Sequence, residues 1–159
     1  MSENLKQLKI TPYDDTCFLP DRAHSDDAGL DLYARRGLVI GPHSAEICPC
    51  GFYMALPGGY TGLVCTRSSS PLKRAYKVAN SPGVIDSGFR GEVAAILHNF
   101  TDDTIKISPF EKVAQLLIVP IELPELTVVP SLDETERGDK GYGSTGGFAP
   151  SFGNSGEHE

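Results

Sequence analysis

The stretch Asn80-Ser81-Pro82-Gly83-Val84-Ile85-Asp86-Ser87-Gly88-Phe89-Arg90-Gly91 decides how this chain is read. Two β-branched residues lead into an acid, a Ser-Gly pair, an aromatic residue and Arg-Gly. Such a run predicts a β-hairpin with Ser87-Gly88 near its tip. Outward from it, proline and glycine recur every 8 to 12 residues, with short β-branched or aromatic runs between them. The runs are Leu38–Ile40, Tyr60–Val64, Val93–His98, Thr104–Ile107, Val113–Ile121 and Leu126–Val129. Many short strands joined by turns predict an all-β sandwich, jelly roll or barrel. Helical periodicity is scarce. The one helical candidate is Ser69–Tyr76, one or two turns with a Ser cap and Pro71 at its first position.

At 159 residues the chain has room for one domain with a real core. The last strand is expected to end near Val129, giving a β core over residues 1–130 and a mobile arm over 131–159. A net charge of −7 argues against a general nucleic-acid binder, which needs a basic face. No apolar run reaches membrane-spanning length, and the polar start is not a signal peptide. No membrane association and a cytoplasmic location are therefore expected. Cys17, Cys48, Cys50 and Cys65 lack zinc-site spacing and read as buried or half-buried free thiols.

Five segments carry chemistry. Ala28–Ala34 sets Asp31 inside an apolar strand, where a carboxylate needs a partner. Two readings stand: it meets a metal ion's water shell or orients an Arg, or it is a structural acid satisfied by backbone or by an Arg. Gly62–Ser70 brings Arg67, Ser68 and Ser69 to a turn whose hydroxyls and N–H groups can hold an anion; a solvated, serine-rich cap is the alternative. In the 80–91 stretch the backbone can meet a pyrimidine edge, Phe89 can pack on a sugar, and Asp86 can take a proton from water, unless Asp86 only shapes the turn. Gln115 is a lone amide among Val113, Ala114, Leu116 and Leu117, and a buried amide must be hydrogen-bonded. The tail, Arg137 to Gly146, combines a cation, spaced glycines, Ser144, Thr145 and Tyr142, the makings of a lid with phosphate and base contacts; a plain linker is the other reading.

These five segments, in this order from Ala28 to Gly146, resemble the five motifs of the trimeric deoxyuridine triphosphate nucleotidohydrolase (dUTPase) family. The resemblance implies a β jelly roll and a homotrimer whose three shared sites draw motifs from different subunits. It implies hydrolysis of dUTP to dUMP and pyrophosphate, with Mg²⁺, by in-line attack of water on the α-phosphate. Asp86 then corresponds to the carboxylate that activates water. Asn80, Gly83, Val84 and Ile85 correspond to the uracil readers, and Phe89 to the ring on the deoxyribose. Arg67, Ser68 and Ser69 belong with the phosphates, and Asp31 and Gln115 with the supporting polar shell, Asp31 near the magnesium waters. Arg137, Tyr142, Gly143, Ser144 and Thr145 belong to the arm, with Tyr142 over uracil. The chain departs from the pattern at several positions. Phe89 stands for Tyr, Gly88 for Asp, Thr66 for Pro, Phe110-Glu111-Lys112 for Gly-Asp-Arg, and Tyr142 for Phe. A related dCTP deaminase and a nucleotide-controlled regulatory module are the competing functions. Protein partners are not specified by the sequence.

Overall fold

The computed structural model describes residues 7–135 and 138–139. Its residues divide into two compact units, Met1–Leu123 and Pro124–Glu159. Among the described residues, all strands lie in the first: β1 (Lys9–Pro12), β2 (Leu30–Tyr33), β3 (Leu38–Ile40), β4 (Ala45–Pro49), β5 (Phe52–Ala55), β6 (Tyr60–Cys65), β7 (Tyr76–Val78), β8 (Gly83–Ile85), β9 (Ala94–Asn99), β10 (Ile105–Ile107) and β11 (Lys112–Pro120). The all-β expectation holds. A single π turn, Ser70–Arg74, replaces the expected helix; Pro71 sits in its first positions, but Ser69 makes no side-chain cap bond.

The strands form four small sheets, ordered β1-β5, β10-β3, β2-β11-β6-β8 and β4-β9-β7. Alternation supplies the core. On β9, Ala95, Leu97 and Asn99 point inward, while Ile96 is exposed. Leu32, Ile40, Phe52, Val64, Leu97, Val113 and Leu116 are among the residues that meet in one buried cluster. Asn99 is the buried polar exception, and its amide and carbonyl bind the carbonyls of Ile40, Gly41 and Asp103 and the Thr101 backbone. It ties the 99–103 turn to β3, as a buried amide must.

Two expectations need correction. The 80–91 stretch does make a turn, closed by Phe89 N–H on the Asp86 carbonyl at 3.1 Å. Its arms form no hairpin ladder, however: β8 pairs with β6, and β9 pairs with β4 and β7. The flanking segments belong to different sheets, so the turn is a crossover. The last strand ends at Pro120, not near Val129. Pro120 and Pro124 remove ladder donors. Leu126 and Val128 are almost fully exposed, at 96% and 98%, so β propensity there finds no partner strand among the described residues.

The four thiols are free, with Cys48 and Cys50 buried and Cys17 and Cys65 half-buried. Burial pushes the Cys48 thiol up to about 12 and moves Cys50 in the same direction. Both are therefore inert core residues. Among the described residues, no helix is long and apolar enough to cross a membrane.

Candidate active site

The central sheet brings three of the expected segments to one level. Asp31 on β2 faces Gln115 on β11, and Gln115 faces Cys65 on β6. Arg67 follows two residues beyond Cys65. Its Nε donates to Asp31 Oδ1 at 2.9 Å, and its Nη1 to the Lys112 carbonyl at 3.3 Å. Lys112 Nζ holds the other oxygen, Asp31 Oδ2, at 2.7 Å. Asp31 is thus a carboxylate between two cations. The Arg67 contact is one that both readings of Asp31 expected, and Lys112 is the carboxylate's unforeseen partner.

Gln115 is half-buried, and its amide finds a partner. Its Nε2 donates to the Thr66 carbonyl at 3.1 Å, fixing the segment that carries Arg67. Gly29 makes room for that amide, since a Cβ there would lie 2.7 Å from Gln115 Oε1. Thr66 does more than the sequence suggested. Its N–H donates to Ser81 Oγ at 3.2 Å, and its Oγ1 accepts from Val78 N–H at 2.9 Å. The first bond needs an N–H that proline lacks. Thr66 therefore ties the Arg67 segment to the Asn80 segment. Ser68 is exposed and Ser69 half-buried, just ahead of the π turn.

A second cluster lies along β8. Val84, Ile85, Asp86 and Phe89 line one pocket. The strand is the outermost of its sheet, bonded on one side to β6 through Gly62↔Ile85, Leu63↔Val84 and Val64↔Gly83. Its other edge carries main-chain groups with no ladder partner among the described residues. The Asn80 amide packs against Gly83, where a Cβ would come within 3.1 Å of it. Arg90 spans the turn: its Nη1 donates to the carbonyls of Ser87 and Phe89, both at 2.7 Å. Gly91 lets the Phe89 ring lie back, for a Cβ there would stand 2.6 Å from Phe89 Cζ. The sequence signals for these two were the Arg-Gly pair after the turn, which carried no role until the ring was placed.

The two clusters do not coincide. β8 runs antiparallel to β6, so Gly83 and Asn80 sit near the Arg67 end, and Asp86 lies past the ladder's other end at Gly62. Asp86 falls level with Thr61, and from there to the end of β6 at Cys65 the backbone advances roughly 14 Å at about 3.4 Å per step. Asp86 and Arg67 therefore lie at opposite ends of one strand. Arg137, Tyr142, Gly143, Ser144 and Thr145 fall outside the described residues. No cluster of three or more His, Cys, Asp or Glu side chains suited to a metal occurs among the described residues.

Comparison with known proteins identifies the family. The dUTPase family model matches residues 15–146. The deoxyuridine 5'-triphosphate nucleotidohydrolase of Mycolicibacterium gilvum is 41% identical over 155 residues, covering 94% of this chain and 99% of its own. That of Corynebacterium glutamicum is 42% identical over 144 residues, covering 90% and 97%. Among solved structures, the Staphylococcus bacteriophage 80alpha dUTPase with dUpNHpp has a TM-score of 0.82 at 27% identity, over 89% of this chain and 99% of that one. A mutant dUTPase from phage phi11 of S. aureus, described as coordinating a structural Mg(II) ion, has a TM-score of 0.73 at 25% identity, over 79% and 97%.

Proposed function

This chain belongs to the dUTPase family, and from that premise we propose that it hydrolyses dUTP to dUMP and pyrophosphate in the cytoplasm. The observation that carries the reading is the family match itself, which spans all five chemistry-bearing segments. The geometry supplies fitting parts. Asp86 is exposed at the mouth of a pocket with Phe89, where a carboxylate can accept a proton from the attacking water. The unladdered edge of β8, at Gly83, Val84 and Ile85, offers main-chain donors and acceptors to a uracil edge, with Asn80 beside it. Phe89 packs on the deoxyribose and leaves no room for a 2′-hydroxyl. Arg67, fixed by two hydrogen bonds, meets the phosphates with Ser68 and Ser69, and Gln115 holds the strand beneath them.

The separation of Asp86 from Arg67 supports a site shared between chains. One chain does not bring the water-activating Asp86 and the phosphate-binding Arg67 together; a second copy can supply the missing half. The proposed assembly is a homotrimer with three such sites. Residues 1–130 form the core and 131–159 the arm, whose Arg137, Tyr142, Gly143, Ser144 and Thr145 close over the nucleotide.

Magnesium fits this residue set as an ion carried in by the triphosphate. Asp31, whose two oxygens are held by Arg67 and Lys112, suits only an outer contact through water, and Mg²⁺ characteristically keeps several waters beside substrate phosphates. When bound, it would offset the negative charge that builds on the phosphoryl oxygens. The test is pyrophosphate release from dUTP beside dTTP, dCTP and UTP, with products separated by chromatography. Selective conversion of dUTP to dUMP is expected. Ammonia release from dCTP, or tight dUTP binding without turnover, would overturn the reading.

A further inference from the structure

Lys112 has no role in the reading above, yet the fold aims it closely. In a regular strand residues 112 and 115 would point to opposite faces. The β11–β2 register slips between Lys112 and Ala114, so that Lys112 pairs with Tyr33 and Gln115 with Asp31. The extra residue at Val113 is a β-bulge, and it turns Lys112 onto the face shared by Asp31, Tyr33 and Gln115. Bulges that re-aim a side chain are concentrated next to active sites.

The preceding turn holds this geometry in place. Phe110 adopts a φ of 64°, an outlier for a bulky residue. Its N–H binds the Ala34 carbonyl at 2.7 Å, and its ring packs 5.0 Å from Phe18. Glu111 is drawn to Arg74 at 2.7 Å. Every group that faces the ammonium can be named. Asp31 lies at 2.7 Å, the Tyr33 ring centroid at 5.6 Å, and the Tyr33 hydroxyl, which donates to Asp21 at 2.7 Å, also faces the ammonium. Arg67 shares Asp31 from the other side.

Two cations on one carboxylate leave one positive charge in excess. That excess faces outward, because the Asp31 side chain is 15% exposed, Arg67 28% and Lys112 37%. Asp31 takes only one of the three donors an ammonium offers. We infer that Lys112 is a further phosphate-binding residue, held by Asp31 in the free chain and bound to the triphosphate beside Arg67 when nucleotide arrives. The inference rests on the dUTP reading, and names a second cation of that same site. A flexible four-carbon stem suits it to follow the polyphosphate, where the doubly tethered Arg67 is fixed.

Calorimetric titration of the full-length protein with inorganic pyrophosphate and with a non-hydrolysable dUTP analogue, each with and without Mg²⁺, tests this. Lys112→Met is expected to weaken pyrophosphate binding by about tenfold, the effect of losing one charge-assisted hydrogen bond, and to flatten its salt dependence. Lys112→Arg should recover most of that loss. Lys112→Gln keeps a polar stem in case the Met variant folds poorly, and should bind as weakly. Unchanged pyrophosphate affinity in Lys112→Met, or no recovery in Lys112→Arg, overturns the inference. If the wild type binds pyrophosphate through Lys112 yet leaves dUTP intact, the dUTP reading fails while the phosphate assignment stands. If dUTP is turned over and Lys112→Met binds pyrophosphate normally, only the Lys112 assignment fails.

Discussion

The sharpest consequence of the fold is that two differently inactivated chains should repair one another. Asp86 lies level with Thr61 near one end of β6 and Arg67 past the other, so roughly 14 Å of strand separates their backbones. Reacting groups must stand within a few ångströms of one phosphate. An Arg tethered to Asp31 does not close that gap. In the proposed trimer, each site takes Asp86 from one chain and Arg67 from another. The perturbation is to mix Asp86→Asn chains with Arg67→Met chains, each inactive alone. Arg67→Met leaves Asp31 paired with Lys112 at 2.7 Å, so no bare carboxylate is left behind and the variant should fold. At equal mixing, half the carboxylates at position 86 and half the guanidiniums at position 67 are intact. Independent assortment then restores about one quarter of the sites. The assay is dUTP turnover after the two variants are denatured and refolded together, with native mass spectrometry to count mixed assemblies. A site built within one chain gives no recovery at any ratio. Mixed trimers with no activity would refute the shared-site reasoning.

Other perturbations follow from single contacts. Asp86→Asn should keep most nucleotide affinity while kcat falls by about two orders of magnitude or more, as for loss of a general base; unchanged kcat would remove Asp86 from that role. Gly91→Ala should push the Phe89 ring out by about 1 Å, since carbons prefer 3.5–4.0 Å and the new Cβ would stand at 2.6 Å. Discrimination of dUTP from UTP should fall with little change in melting temperature, and the effect should vanish in a Phe89→Ala background. Thr66→Val removes the acceptor for Val78 N–H and should cost about 1 kcal/mol, or a few degrees in a thermal melt; Thr66→Ser should restore it. The buried thiols predict alkaline loss of stability. Cys48 holds its proton up to about 12, from an ordinary 9.0, so above pH 9 the folded state binds a proton that the unfolded state has released. Stability is complete below pH 9 and falls by about 1.4 kcal/mol per pH unit per thiol as pH rises toward 12. Urea melts between pH 8 and 10.5 should show a shallower fall in Cys48→Ala; an unchanged slope would contradict the assignment.

Strand content and the need of Asp31 and Gln115 for polar partners were legible because both are local. Alternation, turn residues and a misplaced acid or amide can be read from neighbours in sequence. The level at which residues meet is not local. Asp31, Gln115 and Cys65 align through register across three strands, and the bulge at Val113 reverses the face of Lys112. Neither leaves a mark in the run Glu111-Lys112-Val113-Ala114-Gln115. The hairpin reading failed for the same reason. The Ser87-Gly88 turn was legible, but whether its arms pair depends on what each arm finds elsewhere, and β6 and β4 offered better edges. Leu126–Val129 shows the limit of propensity, for a β-branched run without a partner strand stays exposed.

The same distinction explains why three charged residues are gathered where the fold does not need them. Partly exposed ion pairs add at most about 1 kcal/mol to stability, and half-buried ones are offset by desolvation. Asp31, Arg67 and Lys112 are all partly exposed, so stability does not account for them. What they do is fix direction. Asp31 and the Lys112 carbonyl hold the Arg67 guanidinium through two of its nitrogens, and Gln115 holds the Thr66 carbonyl just before it. A guanidinium ordered during folding loses little freedom when phosphate binds. That entropy is spent once, in making the sheet, and not at each turnover.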